Sequence, residues 1–203
     1  MHKERSDLMN HIDTLEAAIH AILKEKPRAL VAIDGMAASG KTTLAQALAQ
    51  RFSACTVVHM DDFTVPFEAR YPGYFEKTLS NADVLRFDRE VLSPLERGKA
   101  ACYRPYVCHP VPGFLDPVVI PADCPVVIVE GAYCLHPALS ARYDLRVLSL
   151  TDEDTQRKRI FLRNGPQQLE RFLSQWIPME NRHIAEHRLR ETCDLIICPD
   201  PET

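Results

Sequence analysis

Gly35-Met36-Ala37-Ala38-Ser39-Gly40-Lys41-Thr42 satisfies the pattern G-x-x-x-x-G-K-[ST] at every specified position. Glycines at the ends let the backbone turn until successive N–H groups face one anion. A helix opening at the end of the loop adds its unpaired amides and the positive end of its dipole. Lys41 is placed to reach the β- and γ-phosphates of a nucleotide, and the Thr42 hydroxyl to meet Mg²⁺; with Thr43 the cradle spans residues 35–43. A glycine turn before a helix is commonplace by itself. Here the flanks decide: Ala29 to Ile33 is a continuous apolar run suited to a strand buried on both faces. Leu44, Leu48 and Phe52 mark the inner face of the helix that follows. The segment reads as a nucleotide-phosphate site.

The same alternation extends in both directions. Upstream, Leu8, Ile12, Leu15, Ile19 and Ile22 recur at helical spacing, with Ser6 as N-cap and Pro27 as terminator. Downstream, the pattern predicts strands at Thr56–Met60, Pro125–Val129, Asp144–Leu150 and Asp194–Cys198. It predicts helices at Asp83–Arg97 and Asp154–Arg163, and a mostly helical stretch from Leu169 to Arg190. Strands alternating with helices imply right-handed crossovers and a mainly parallel α/β sheet covered on both faces. Residues 99–125 break the rhythm with Pro105, Pro110, Pro112, Pro117, Pro121 and Pro125, and read as an inserted hairpin or long loop. The whole of 1–203 is expected to be one domain, with residues 1–27 as an N-terminal helix.

Composition narrows the partners. The chain has 203 residues, 46% hydrophobic and 26% charged, the balance of a globular domain. A net charge of −4 argues against nucleic acid, which needs a basic stripe. No apolar run approaches the ~18–20 residues of a membrane span. The start, MHKERSDLMNHID, lacks a signal-peptide core, so a cytoplasmic protein is expected. Seven cysteines with no C-x-x-C pair suggest reduced, mostly buried thiols rather than a zinc site or disulfide framework. Nothing in the pattern specifies an oligomer.

An N-K-x-D segment for reading guanine is absent, which excludes an ordinary GTPase. Instead Asp61 and Asp62 end the second strand, where the crevice of an open α/β sheet lies. Two carboxylates there could orient a hydroxyl nucleophile and hold magnesium through water; solvated loop acids or a helix cap are the bland alternative. Glu130 ends the apolar run Val126-Val127-Ile128-Val129, a costly place for a charge unless a cation meets it.

The loop, the strand ending in Asp61-Asp62-Phe63, the turn Val129-Glu130-Gly131 and the helix with Leu173-Ser174-Gln175-Trp176-Ile177 stand in one order. In that order they resemble the uridine kinase and phosphoribulokinase family, over roughly residues 28–199. The resemblance implies the P-loop NTPase fold and a kinase that uses ATP and Mg²⁺ to phosphorylate a hydroxyl of a small metabolite. It implies Asp61 as the catalytic acid, and Thr42, Asp61 and Glu130 around magnesium. It implies a lid at residues 154–168 whose Arg159 and Arg163 cover the transferred group. On the acceptor side it implies Asp83 at ribose hydroxyls, Gln175 as a polar contact, and Tyr106 and His109 as an aromatic and histidine wall. Tyr103 is displaced by one residue from the family's position. Thr64, Ile160 and the short lid stretch Asn164–Gln168 also depart from the family pattern, and they bear on the acceptor rather than on ATP. A nucleoside or ribose-like acceptor is expected. Pantothenate, a sugar phosphate or a non-catalytic nucleotide-binding regulator are the competing readings.

Overall fold

The computed structural model describes residues 2–71, 81–108 and 110–198, with side chains from Leu8 onward. Five strands carry the architecture: β1 (Ala29–Gly35), β2 (Cys55–His59), β7 (Val126–Glu130), β8 (Leu145–Ser149) and β9 (Leu195–Ile197). They form one sheet in the order β2-β7-β1-β8-β9, with every pairing parallel. The period of two along β1 explains its two-sided burial. Ala29, Val31 and Ile33 join the core formed with Ile12, Leu15 and Ile19 of α1 (His2–Glu25) and Leu44 and Leu48 of α2 (Lys41–Ala49). Leu30 and Ala32 face the opposite core, with Phe63, Phe87, Leu92 and Leu148. The sheet's apolar runs are therefore read by both layers, and the strand carboxyl ends all open on one side.

The helix α3 (residues 84–96) has a π-helical turn, Asp88–Leu92, ahead of Pro94. A second π turn, Phe172–Trp176, lies between α5 (Glu153–Arg171) and α6 (Ile177–Glu186), ahead of Pro178. Proline lacks the N–H for an i→i−4 bond and its ring crowds that carbonyl, so the preceding turn widens rather than breaks. Helix α5 continues past the expected end at Arg163, but its course is broken at Gly165, with φ 79° and ψ 174°. Short helices α4 (Pro137–Ser140) and α7 (Leu189–Thr192) complete the layers.

The proline-rich insertion is two small antiparallel ladders. β3 (Ala101–Tyr103) pairs with β6 (Val118–Ile120), and β4 (Tyr106–Val107) with β5 (Gly113–Phe114). Three sequence expectations are corrected. Helix α1 begins at His2, so Ser6 lies within it and not at its cap. Phe52 lies beyond the end of α2. Of the seven free cysteines only Cys124 and Cys134 are buried, while Cys102 and Cys198 are exposed. Among the described residues no helix is long and apolar enough to cross a membrane.

Candidate active site

A cavity of 890 Å³ opens at the carboxyl ends of β1, β2 and β7. The turn after β1 forms its floor. Gly35 has φ 138°, and a Cβ there would lie 1.9 Å from the Ser149 carbonyl oxygen, so only glycine lets β1 and β8 approach this closely. Ala38 takes φ 58° and Gly40 φ 93°, which turns the loop into the start of α2. The loop carbonyls are gripped from outside. Gln156 Nε2 donates to Ala37 O at 3.0 Å, Arg159 to Ala38 O at 3.2 Å, and Ser149 Oγ to Ser39 O at 3.3 Å. Lys41, nearly buried, folds onto the loop itself, donating to Gly35 O at 2.9 Å and Met36 O at 2.7 Å.

The magnesium candidates converge. Thr42 Oγ1 donates to Glu130 Oε1 at 3.1 Å, and the same oxygen meets His59 Nδ1 at 2.5 Å across paired strands β2 and β7. That hydrogen bond with Glu130 raises the His59 pKa above its ordinary value, against the opposing effect of burial. Asp61 is open to the cavity, yet its carboxyl sits deep in it; burial and the Glu130 charge push its pKa up, against the pull of Lys41, His59 and Arg163. Among the described residues no cluster of three or more His, Cys, Asp or Glu side chains is disposed to hold a metal by itself. Hard hydroxyl and carboxylate oxygens at Thr42, Asp61 and Glu130 fit Mg²⁺, which needs only one or two carboxylates when substrate phosphates and water complete its shell.

Two buried acids brace the loop. Asp34 accepts from the N–H groups of Gly35, Tyr133 and Leu135 at 2.6, 3.2 and 2.8 Å and pairs with His183 Nε2 at 3.0 Å. Burial works to raise its pKa, but the His183 charge and these donors together hold it below the ordinary value. Glu180 accepts from Ala37 N–H at 2.7 Å, and burial lifts its pKa to about 7.

The lid arginines expected from sequence, Arg159 and Arg163, both line the cavity. Arg163 also donates to Asn164 Oδ1 at 2.7 Å. The cavity is also lined by Asp62, Thr64, Phe67, Arg70, Asn81, Tyr106, Val107, Cys108, Arg171, Phe172 and Trp176. The buried Tyr106 hydroxyl accepts from Phe67 N–H at 3.4 Å, and its ring meets Phe114 edge-on at 5.2 Å.

Other sequence candidates are placed elsewhere. Asp83 caps α3, accepting from Arg86 N–H at 2.9 Å, and is not among the cavity-lining residues. Its carboxylate satisfies an orphan amide of the first helical turn, which is a cap's employment. Gln175 is half buried on the π turn and also lies outside the lining. His109 lies outside the described residues. Sequence reasoning passed over Asp34, Gln156, Tyr133, Trp176 and Glu180. For Asp34 a signal existed: like Glu130, it is a charge near the end of a strand buried throughout.

No family model matches the chain. It is 29% identical over 164 residues to the nicotinamide riboside kinase of Saccharomyces cerevisiae, covering 70% of this chain and 68% of that one. Among solved structures it superimposes on a possible uridine kinase from Bacillus stearothermophilus with a TM-score of 0.70, at 22% identity over 94% of this chain and 99% of that one. A candidate fructose transport system kinase from Silicibacter gives a TM-score of 0.68, at 23% identity over 90% of this chain and 98% of that one. In fold the chain is similar to these kinase structures, and in sequence it is similar to the yeast nicotinamide riboside kinase.

Proposed function

We propose that the chain transfers the γ-phosphoryl group of ATP to a hydroxyl of a nucleoside or ribose-like acceptor. The observation that carries this reading is that one cavity joins the phosphate loop, Asp61, Glu130 and the arginines of the lid to an aromatic-walled end. In this reading the loop amides and Lys41 hold the triphosphate, and Lys41 exchanges its loop carbonyls for phosphate oxygens. Thr42, Glu130 and Asp61 would hold Mg²⁺, which would supply charge neutralisation at the phosphates. Asp61 takes the proton of the attacking hydroxyl, and Arg159 and Arg163 stabilise the charge spread over the transferred group. Phosphoryl transfer is loose, so such positioning and neutralisation supply most of the rate.

The acceptor side supports a planar or sugar-bearing molecule, because Tyr106, Phe67, Phe172 and Trp176 supply ring surfaces beside polar Asp62 and Asn81. The sequence relationship to a protein named nicotinamide riboside kinase supports a nucleoside-sized acceptor. The test is ADP release under saturating Mg-ATP with uridine, cytidine, nicotinamide riboside, free pentoses and pantothenate in parallel. Turnover with a nucleoside or pentose is expected. Turnover with pantothenate alone would overturn the acceptor reading. Tight ATP binding with no acceptor across a broad metabolite panel would put a nucleotide-binding regulator ahead.

A further inference from the structure

Gln156 stands in the first turn of α5 and Glu180 in the first turn of α6, so the lid helix, its break at Gly165 and the second π turn all lie between them. Both close on one residue of the phosphate loop. Glu180 Oε2 accepts from the Ala37 N–H at 2.7 Å, and Gln156 Nε2 donates to the Ala37 carbonyl at 3.0 Å. Both side chains are buried, at 8% and 1% exposure, so these contacts are shielded from water. The next residue, Ala38, holds φ 58° without being glycine, a conformation costing about 1–2 kcal/mol. Such strain persists only where the surroundings over-determine it. The bonds on Ala37, with the Arg159 bond to the Ala38 carbonyl, supply that determination.

A carboxylate is an unfavourable choice for this place unless it has a task. It is buried beside a loop built for anions, and Asp34 and Asp61 already lie close enough to oppose its ionisation, with Lys41 as the cation nearby. The transfer reaction itself leaves Glu180 without a role. The geometry points to Glu180 as a positioning residue for the phosphate loop, acting with Gln156 through the two backbone polar groups of Ala37. The segment that carries the lid thereby sets the shape of the loop it covers. This inference rests on the kinase reading, since it takes the loop to be the nucleotide site.

The test compares E180Q, which still offers an oxygen to the Ala37 N–H, with E180M, which does not. Mg-ATP binding to the purified chain is measured by calorimetry, and KM for ATP and for the acceptor are measured separately. E180M should weaken Mg-ATP binding and raise KM for ATP by about tenfold, the loss of roughly one hydrogen bond to a charged group. KM for the acceptor should stay within about twofold, and E180Q should return ATP affinity to within about threefold of the parent. Q156L removes the other contact, and should show the same loss for ATP; it carries the test if E180M does not fold. Unchanged ATP affinity in E180M and Q156L, with only a lower Tm, would overturn the inference and leave the kinase reading standing. Equal loss for ATP and acceptor would also overturn it. A parent chain that binds no nucleotide would overturn the kinase reading and this inference together.

Discussion

The hydroxyl of Tyr103 donates to Asp62 Oδ2 at 3.3 Å, and this contact sets two adjacent acids in different surroundings. Asp62 is tied to the inserted β3–β6 ladder, while Asp61 is left toward Glu130, Lys41 and Arg163. Asp61→Asn should therefore cut kcat by ~10²–10⁴ while leaving the Kd for ATP within a few fold. Asp62→Asn should be milder and act mainly on the acceptor. Single-turnover kinetics beside equilibrium ATP binding reads the split; equal loss of binding and turnover in Asp61→Asn would make Asp61 mainly a metal or structural residue rather than the base.

Lys41→Ala should abolish ADP release without unfolding the chain. The ammonium is bound to loop carbonyls at Gly35 and Met36, at the edge of the core rather than inside it. Far-UV circular dichroism and Tm should match the parent. Persistent turnover would sink the assignment of the loop.

Stability should fall as pH rises through neutrality, with Glu180 as one source beside the raised His59 and Asp61. Burial lifts its pKa to about 7, and the groups facing it are Lys41, Asp34, Asp61 and Tyr133, with His183 one turn along its own helix. A carboxyl whose folded pKa exceeds its unfolded value holds its proton more tightly when folded. Its contribution is complete below the unfolded pKa and is lost as pH climbs through about 7. Acting alone, the group could remove up to about 3 kcal/mol. Urea unfolding between about pH 5 and pH 8 should show that decline in the parent and a flatter profile in Glu180→Gln. The same slope in both would exclude Glu180 as its source.

Arg86→Lys should loosen the acceptor side. The buried guanidinium donates to Asp62 O at 2.7 Å and Arg104 O at 2.9 Å and lies 4.6 Å from the Phe63 ring centre. A lysine cannot reproduce the planar fork, so about 1–3 kcal/mol of stability should be lost. KM for the acceptor should rise more than KM for ATP; a rise confined to ATP would contradict this placement.

The nucleotide half was legible because its signals are local. The loop pattern, the apolar run before it and the charge ending the run 126–129 each occupy a few consecutive residues. Glu130 is signalled by its place as a charge at the end of a buried strand, and it lies against Thr42. Glu180 was not legible, because nothing near position 180 indicates that its partner is an amide at position 37. Asp83 caps α3 through the Arg86 N–H, a task its place just ahead of the helix also fits. Gly165 and Pro166 look like a terminus in sequence, although the helical path resumes beyond them.

Among the described residues the ladders β3–β6 and β4–β5 contribute no strand to the central sheet. They meet the rest of the chain largely through side chains such as Tyr103 and Arg86. Such an arrangement leaves the backbone of the ladders separate from that of the sheet. Under the proposed function, grafting residues 101–120 from a kinase of similar fold would exchange the acceptor wall at one seam, provided the buried Ala101, Tyr103 and Ile120 keep their place in the core.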